Sequence, residues 1–201
     1  MYELGGALGE QEVPPGTNLL LEGPALSGKT DVGYDVLRHG AENGEGSLVV
    51  TNRDSAERVR AERTALFEHD TPVGLVDCVT KHQGQGSIVD SEMVQYASSP
   101  DDMTGIGIKF SELLQDFYND LGLKRNRALF VSVSTLLMYS NVQTVFRFLH
   151  VFTSRVENAG ALGLYVIEAD AHDDQATSTL SQLFDGVVRV DDDGSVDLQI
   201  R

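Results

Sequence analysis

Three unlike segments follow one another between residues 17 and 40, and together they leave this chain few folds. Thr17-Asn18-Leu19-Leu20-Leu21-Glu22 is a short apolar run, entered from the turn signal Pro14-Pro15-Gly16. Gly23-Pro24-Ala25-Leu26-Ser27-Gly28-Lys29-Thr30 matches G-x-x-x-x-G-K-[ST]. Asp31 to Gly40 has helical spacing through Val32, Val36 and Leu37 and is closed by Gly40. Strand, glycine-bounded loop and helix in that order frame a phosphate-binding loop. The glycines let successive backbone N–H groups turn around phosphate oxygens. The helix that follows brings the partial positive charge of its N-terminus. The pattern predicts a nucleotide-contacting segment of Gly23, Pro24, Ala25, Leu26, Ser27, Gly28, Lys29, Thr30 and Asp31. Within it, Lys29 would reach the β- and γ-phosphates of ATP, and the Thr30 hydroxyl would meet Mg²⁺. The alternative is a glycine-rich turn that binds nothing.

Beyond this segment, strand-length apolar runs alternate with helical patterns. Ser47–Thr51, Val73–Val79, Ala128–Val133 and Leu162–Ile167 read as buried strands, and Met93–Ala97 as a weak one. Asp54 or Ser55 can cap a helix running to about Phe67. Phe110 to Leu121 has helical spacing, Leu136 to Asn158 reads as one long amphipathic helix, and Gln175 to Phe184 as a short one. Lys81 to Asp90 and Ser98 to Gly107 read as long loops able to contact a partner or the base. Val187–Val190 and Val196–Ile200, joined by Asp191-Asp192-Asp193-Gly194, form a hairpin signal. The expected fold class is α/β: a mostly parallel twisted sheet, helices on both faces, and a C-terminal β-hairpin. Residues 1–15 read as an irregular lead-in to a single domain over 16–201.

Charge narrows the partners less than it first suggests. The chain carries 31 acidic against 15 basic side chains, a net charge of −16, with lysine only at 29, 81, 109 and 124 and no tryptophan. An acid excess with scarce lysine resembles the proteins of salt-loving organisms. At low salt such a charge repels nucleic acid and anionic membranes. In molar salt the Debye length is only about 3 Å, so this repulsion fades. Nucleic acid is therefore disfavoured as a partner without being ruled out. Cys78 is the single cysteine, so no intrachain disulfide can form, and its apolar neighbours mark it as a small buried hydrophobe. No secretory leader is visible, and no window approaches the ~18 apolar residues of a membrane span. The expected compartment is the cytoplasm.

The order of elements, the run Gly16 to Gly23 and the late Asp185-Gly186-Val187-Val188-Arg189-Val190 resemble the RecA/KaiC superfamily of P-loop NTPases. More narrowly, the chain resembles the small single-domain KaiC-like proteins of haloarchaea. It implies ATP and Mg²⁺ as ligands, a homo-oligomer, and a protein partner of unknown identity. It also implies an acid at the end of the strand over Arg127 to Ser134, where this chain has Val131 followed by Ser132. No Asp or Glu occurs from Lys124 to Gln143. By the same resemblance, Ser132 or Ser134 could touch a metal-bound water. The glutamate pair expected after the second strand corresponds to Arg53 and Asp54. Asp54 can orient a water or cap the helix, and its cap preference favours the second role.

Arg53 would sense the γ-phosphate or lie solvated at a strand end. Arg189 would reach a neighbouring subunit's nucleotide or stay on a surface strand. Glu168 and His172 follow a buried strand, where parallel sheets bind ligands, so either can act as a sensor. A metal site of His172, Asp170 and Asp173 competes there with a solvated acidic loop, which is favoured. Losing a positioned acid or base alone costs roughly 10²–10⁴ in rate. Three functional readings follow. The leading one is ATP binding with slow or absent turnover, controlling self-association or a partner. The second is a slow ATPase in signalling or DNA recombination and repair mediation, using Asp54. The third is a structural pseudo-ATPase that does not use nucleotide.

Overall fold

Apolar strand runs with no polar alternation need helices on both faces, and the chain provides them. The structure, a computed structural model, describes residues 1–84, 88 and 91–201. Its strands are β1 (Tyr2–Glu3), β2 (Glu12–Val13), β3 (Asn18–Gly23), β4 (Gly46–Thr51), β5 (Val73–Asp77), β6 (Val94–Tyr96), β7 (Asn126–Val131), β8 (Leu162–Glu168), β9 (Gly186–Val190) and β10 (Val196–Ile200). Its α-helices are α1 (Lys29–Glu42), α2 (Ala56–Glu62), α3 (Thr64–Phe67), α4 (Thr80–Gln83), α5 (Met103–Asn119), α6 (Val133–Tyr139), α7 (Val142–Asn158) and α8 (Asp174–Ser181). Among the described residues the main sheet runs β10-β9-β3-β8-β7-β4-β5-β6. Every pairing in it is parallel except that of β10 with β9. The expected α/β fold with a C-terminal antiparallel hairpin is thus present.

Successive strand residues point to opposite faces, and the two cores divide accordingly. Leu19, Leu21, Val49, Leu129, Val131 and Leu164 pack on the side of α1 and α2. Leu20, Leu48, Val50, Phe130, Tyr165 and Ile167 pack on the side of α5, α6 and α7. From β3 the chain passes through α1 to β4, which pairs with β7 and not with β3. The carboxyl ends of β3, β4, β7 and β8 therefore converge on one edge of the sheet. No helix among the described residues is long and apolar enough to cross a membrane.

Several local expectations need correction. Residues 1–15 are ordered rather than irregular: β1 and β2 make an antiparallel ribbon, and Tyr2, Leu4, Leu8 and Val13 are buried. Two-residue strands are too short to show a period in sequence. The loop expected over Ser98 to Gly107 already turns helical at Met103, where the Asp102 carboxylate accepts the Gly105 N–H. Gly105 and Gly107 suggested a loop, but Gly107 lies inside α5, and its carbonyl accepts from the Arg155 guanidinium at 2.6 Å.

The single helix expected over Leu136 to Asn158 is two. Ser140 is extended, and Asn141 caps α7 by accepting the Thr144 N–H at 2.9 Å. Val133, assigned to a strand by its hydrophobicity, opens α6 instead. The helix expected to reach Phe67 breaks at Arg63 into α2 and α3. Of the loop predicted after Lys81, residues 81–83 belong to α4, while Gln85 and Gly86 lie outside the described residues.

Candidate functional site

The loop between β3 and α1 is held by close approach and by unusual backbone. Any Cβ on Gly23 would collide with the Val190 carbonyl and with Ser27 Oγ, so only glycine passes here. Leu26 has φ 63° with its side chain fully exposed, and Gly28 has φ 87°. A left-handed leucine is strained, and such strain gathers at ligand clamps. Turns of this kind build anion-cradling backbone concavities. No side chain caps the first turn of α1, so its N–H groups stay open to a ligand. Ser27 Oγ is buried and has no hydrogen-bond partner among the described residues, a condition that buried polar atoms rarely tolerate.

Lys29 is 3% exposed, and its Nζ donates to the Pro24 carbonyl at 2.7 Å. Burial holds its pKa below the ordinary lysine value; Glu168 opposes this, and the Arg53 charge adds to it. A buried ammonium with one neutral acceptor is poorly compensated, and an anion at this point would complete it. Thr30 and Asp31 face the same space.

That space is a cleft of about 610 Å³ along the carboxyl edge of the sheet. Four cations line it, Lys29, Arg53, Arg58 and Arg63, and so do four carboxylates, Asp31, Asp54, Glu62 and Glu168. Each carboxylate pairs with an arginine. Arg53 meets Glu168 at 3.3 Å, Arg58 meets Asp54 at 3.4 Å and Glu62 at 2.8 Å, and Arg63 meets Asp31 at 2.5 Å. Arg63 also stacks over the Tyr34 ring, 4.4 Å from its centroid. The cleft is thus charge-balanced within a protein of net charge −16. Its ion pairs are partly to largely exposed and therefore individually weak.

Val131 lines the cleft at the carboxyl end of β7. Ser132, expected as a possible metal contact, is 1% exposed and occupied elsewhere: its Oγ caps α6 by accepting the Thr135 N–H at 3.3 Å. Asp54 is not the helix cap. Ser55 caps α2 by accepting the Arg58 N–H at 3.2 Å, which leaves the Asp54 carboxylate facing the cleft beside Arg58. Glu168 and Arg53 come together as a pair. Arg189 does not line this cleft; it sits on β9, donating to Glu22 of β3 at 2.8 Å. His172 is likewise outside it, with Nε2 2.8 Å from Ser134 Oγ, which accepts the Glu168 N–H at 2.8 Å. Burial lowers the His172 pKa, against the charges of Glu168 and Asp173. Asp173 caps α8. Among the described residues no group of three His, Cys, Asp or Glu could hold a metal ion. Around the cleft, Thr30 offers a neutral hydroxyl, while every lining carboxylate is engaged by an arginine. This donor set fits Mg²⁺ carried in on nucleotide phosphates; it does not fit an ion held by the protein itself.

Two supporting residues carried no motif. Asp77, 1% exposed at the end of β5, accepts from the N–H groups of Ala56, Val79 and Thr80 at 2.8–2.9 Å and from the Thr80 hydroxyl at 2.6 Å. It pins the start of α2, and with it Arg58 and Arg63, to the sheet. Asn52 joins β4 to β7 through Ser132, accepting its N–H at 2.6 Å and donating to its carbonyl at 3.1 Å. Asn52 follows the apolar run Ser47–Thr51, and Asp77 is the one charged residue within the run Val73–Val79.

A parallel sheet with a glycine-bounded loop at its carboxyl edge is the RecA-like α/β architecture, and solved structures share it. A KaiC-like protein of Pyrococcus horikoshii is similar with TM-score 0.60 and 19% identity, over 89% of this chain and 72% of that one. An uncharacterized protein of the same organism, solved in complex with an unknown peptide, is similar with TM-score 0.67 and 14% identity, over 95% and 85%. The flagellar accessory protein FlaH of Methanocaldococcus jannaschii is similar with TM-score 0.51 and 11% identity, over 88% and 72%. No curated protein matches the sequence. The chain belongs to the family of unknown function DUF7504, whose model matches residues 16–190.

Proposed function

We propose that this protein is an ATP-binding regulator with weak or absent hydrolysis, whose nucleotide state controls self-association or a protein partner. The observation that carries this reading is the loop Gly23 to Thr30. It has left-handed turns at Leu26 and Gly28, an uncapped helix start, and a buried Lys29 whose one hydrogen-bond acceptor is a carbonyl. ATP phosphates would lie on the loop amides and replace the Pro24 carbonyl as the partner of Lys29. Mg²⁺ would enter on the phosphates and meet the Thr30 hydroxyl. Weak turnover follows from Val131 at the end of β7 and from arginine pairing of every carboxylate in the cleft, since hydrolysis needs a positioned water and stabilised charge. A structural neighbour solved with an unknown peptide offers a precedent in this fold for the partner. The acidic surface would suit an archaeal cytoplasm at high salt.

Titration with ATP in molar KCl, followed by a phosphate-release assay, tests this. Binding without release is the expected result, and no binding overturns it. A second reading, a slow ATPase, draws on the Asp54 carboxylate facing the cleft, with Arg189 acting across an oligomer. Phosphate release abolished by Lys29→Ala would favour it.

A further inference from the structure

We infer that arginines of this chain, and not a divalent cation, supply most of the counter-charge for the bound triphosphate, through exchange of their carboxylate partners. The inference rests on the nucleotide reading above. Three of the chain's arginines, Arg53, Arg58 and Arg63, border the cleft of Lys29. They arrive from outside the loop: Arg53 just after β4, Arg58 on α2, and Arg63 at the α2–α3 break. Two of their pairs span separate elements, Arg53 to Glu168 at the end of β8 and Arg63 to Asp31 on α1. Breaking those pairs is the way in for a phosphate.

Guanidinium geometry makes the exchange favourable. A phosphate takes two parallel N–H donors from an arginine as a carboxylate does, and carries more charge. The carboxylates can leave: the Asp31 side chain is 63% exposed and that of Glu62 51%, so each can turn into solvent. Asp54 and Glu168 are less exposed, at 34% and 27%. Glu168 stays at the wall of the cleft once Arg53 turns to the phosphate, and there it lowers affinity. The same residues explain why the acid missing at Val131 need not abolish binding: the positive charge comes from the arginine side chains themselves.

Calorimetric titration of the full chain with ATP in molar KCl, once with Mg²⁺ and once with EDTA, tests the inference. Affinities in the two buffers are expected to agree within about threefold, since the protein's own share in holding the ion would be one neutral hydroxyl, that of Thr30. Arg53→Gln is expected to weaken binding by about tenfold or more in both buffers, the cost of a lost charge-assisted fork. Glu168→Gln is expected to tighten binding several-fold by removing the retained like charge. Arg53 is well exposed, so an unchanged melting temperature ties its effect to the ligand. Binding confined to the Mg²⁺ buffer, or an Arg53→Gln variant that binds like the parent, overturns the inference alone. No binding in either buffer overturns it together with the nucleotide reading.

Discussion

The two edges of the sheet use the same chemistry to opposite ends. At the amino edge, where β4 and β7 begin, Glu45 and Arg127 are 7% and 1% exposed on their side chains. Glu45 spends one oxygen on Arg127 Nε at 2.5 Å and the other on Arg125 Nε at 2.7 Å. Arg127 also donates to the carbonyls of Val36 and Glu3 at 2.7 and 2.8 Å. Tyr2 closes the cluster beneath the Arg125 guanidinium and donates to the Gly160 carbonyl. At the carboxyl edge the arginine–carboxylate pairs have 27–63% exposed side chains, and few backbone groups share them. A buried, fully satisfied pair is committed to the fold, because removing either partner strands a charge. An exposed pair can be exchanged, because water solvates what is released. The comparison suggests that ion pairs lock one edge and hold the other ready.

The largest test of this contrast is Arg127→Met. It should destabilise the protein by about 3–5 kcal/mol in denaturant titrations, the cost of leaving Glu45 with Arg125 alone and the Val36 and Glu3 carbonyls without their Arg127 donors. A loss near zero would put the amino edge in the same class as the cleft. Next, Lys29→Ala should leave the fold intact and weaken ATP binding about a hundredfold, since within the protein its ammonium meets one neutral carbonyl, that of Pro24, and the proposed ligand would supply the opposite charge. A collapse of stability instead would make Lys29 a scaffold residue.

Alkaline pH should separate core from cleft more gently. Burial raises the phenol pKa values of Tyr165, Tyr34 and Tyr2. Unfolded phenols ionise at about pH 10, so the unfolded chain loses protons first and stability falls as pH rises past that point. A melting temperature that stays level well above pH 10 would contradict this. The smallest effect belongs to His172. Its folded pKa is depressed, so the unfolded chain binds more protons below about pH 6.5 and stability falls slightly as pH drops through that window. His172→Ala should flatten that acid slope, and a slope that persists unchanged would assign it to carboxylates.

Much of the frame was legible because its signals are local. The apolar runs of β3, β4, β5, β7 and β8 and the glycine-lysine loop sit within short windows. Where neighbouring signals conflicted, reading failed. Gly105 and Gly107 masked the start of α5, whose cap is the side chain of Asp102. Continuous helical periodicity hid the break at Ser140 and Asn141 between α6 and α7. Adjacent Asp54 and Ser55 are both good caps, and only the fold chose Ser55, leaving Asp54 to the cleft. Arg53 stood out in sequence as a candidate, but its pairing with Glu168, 115 positions away, was not legible there.

Sequence alone determined the class of fold and the place of the glycine-lysine loop, because periodicity and glycine spacing act over a few residues of backbone. Tertiary structure decided which charges meet. It brought Arg53 to Glu168 and Arg63 to Asp31, placed Val131 at the wall of the cleft, sent Ser132 to cap α6, and tied Arg189 to Glu22. Electrostatic partnership depends on distance and burial in three dimensions, and neither is written in the spacing of a chain.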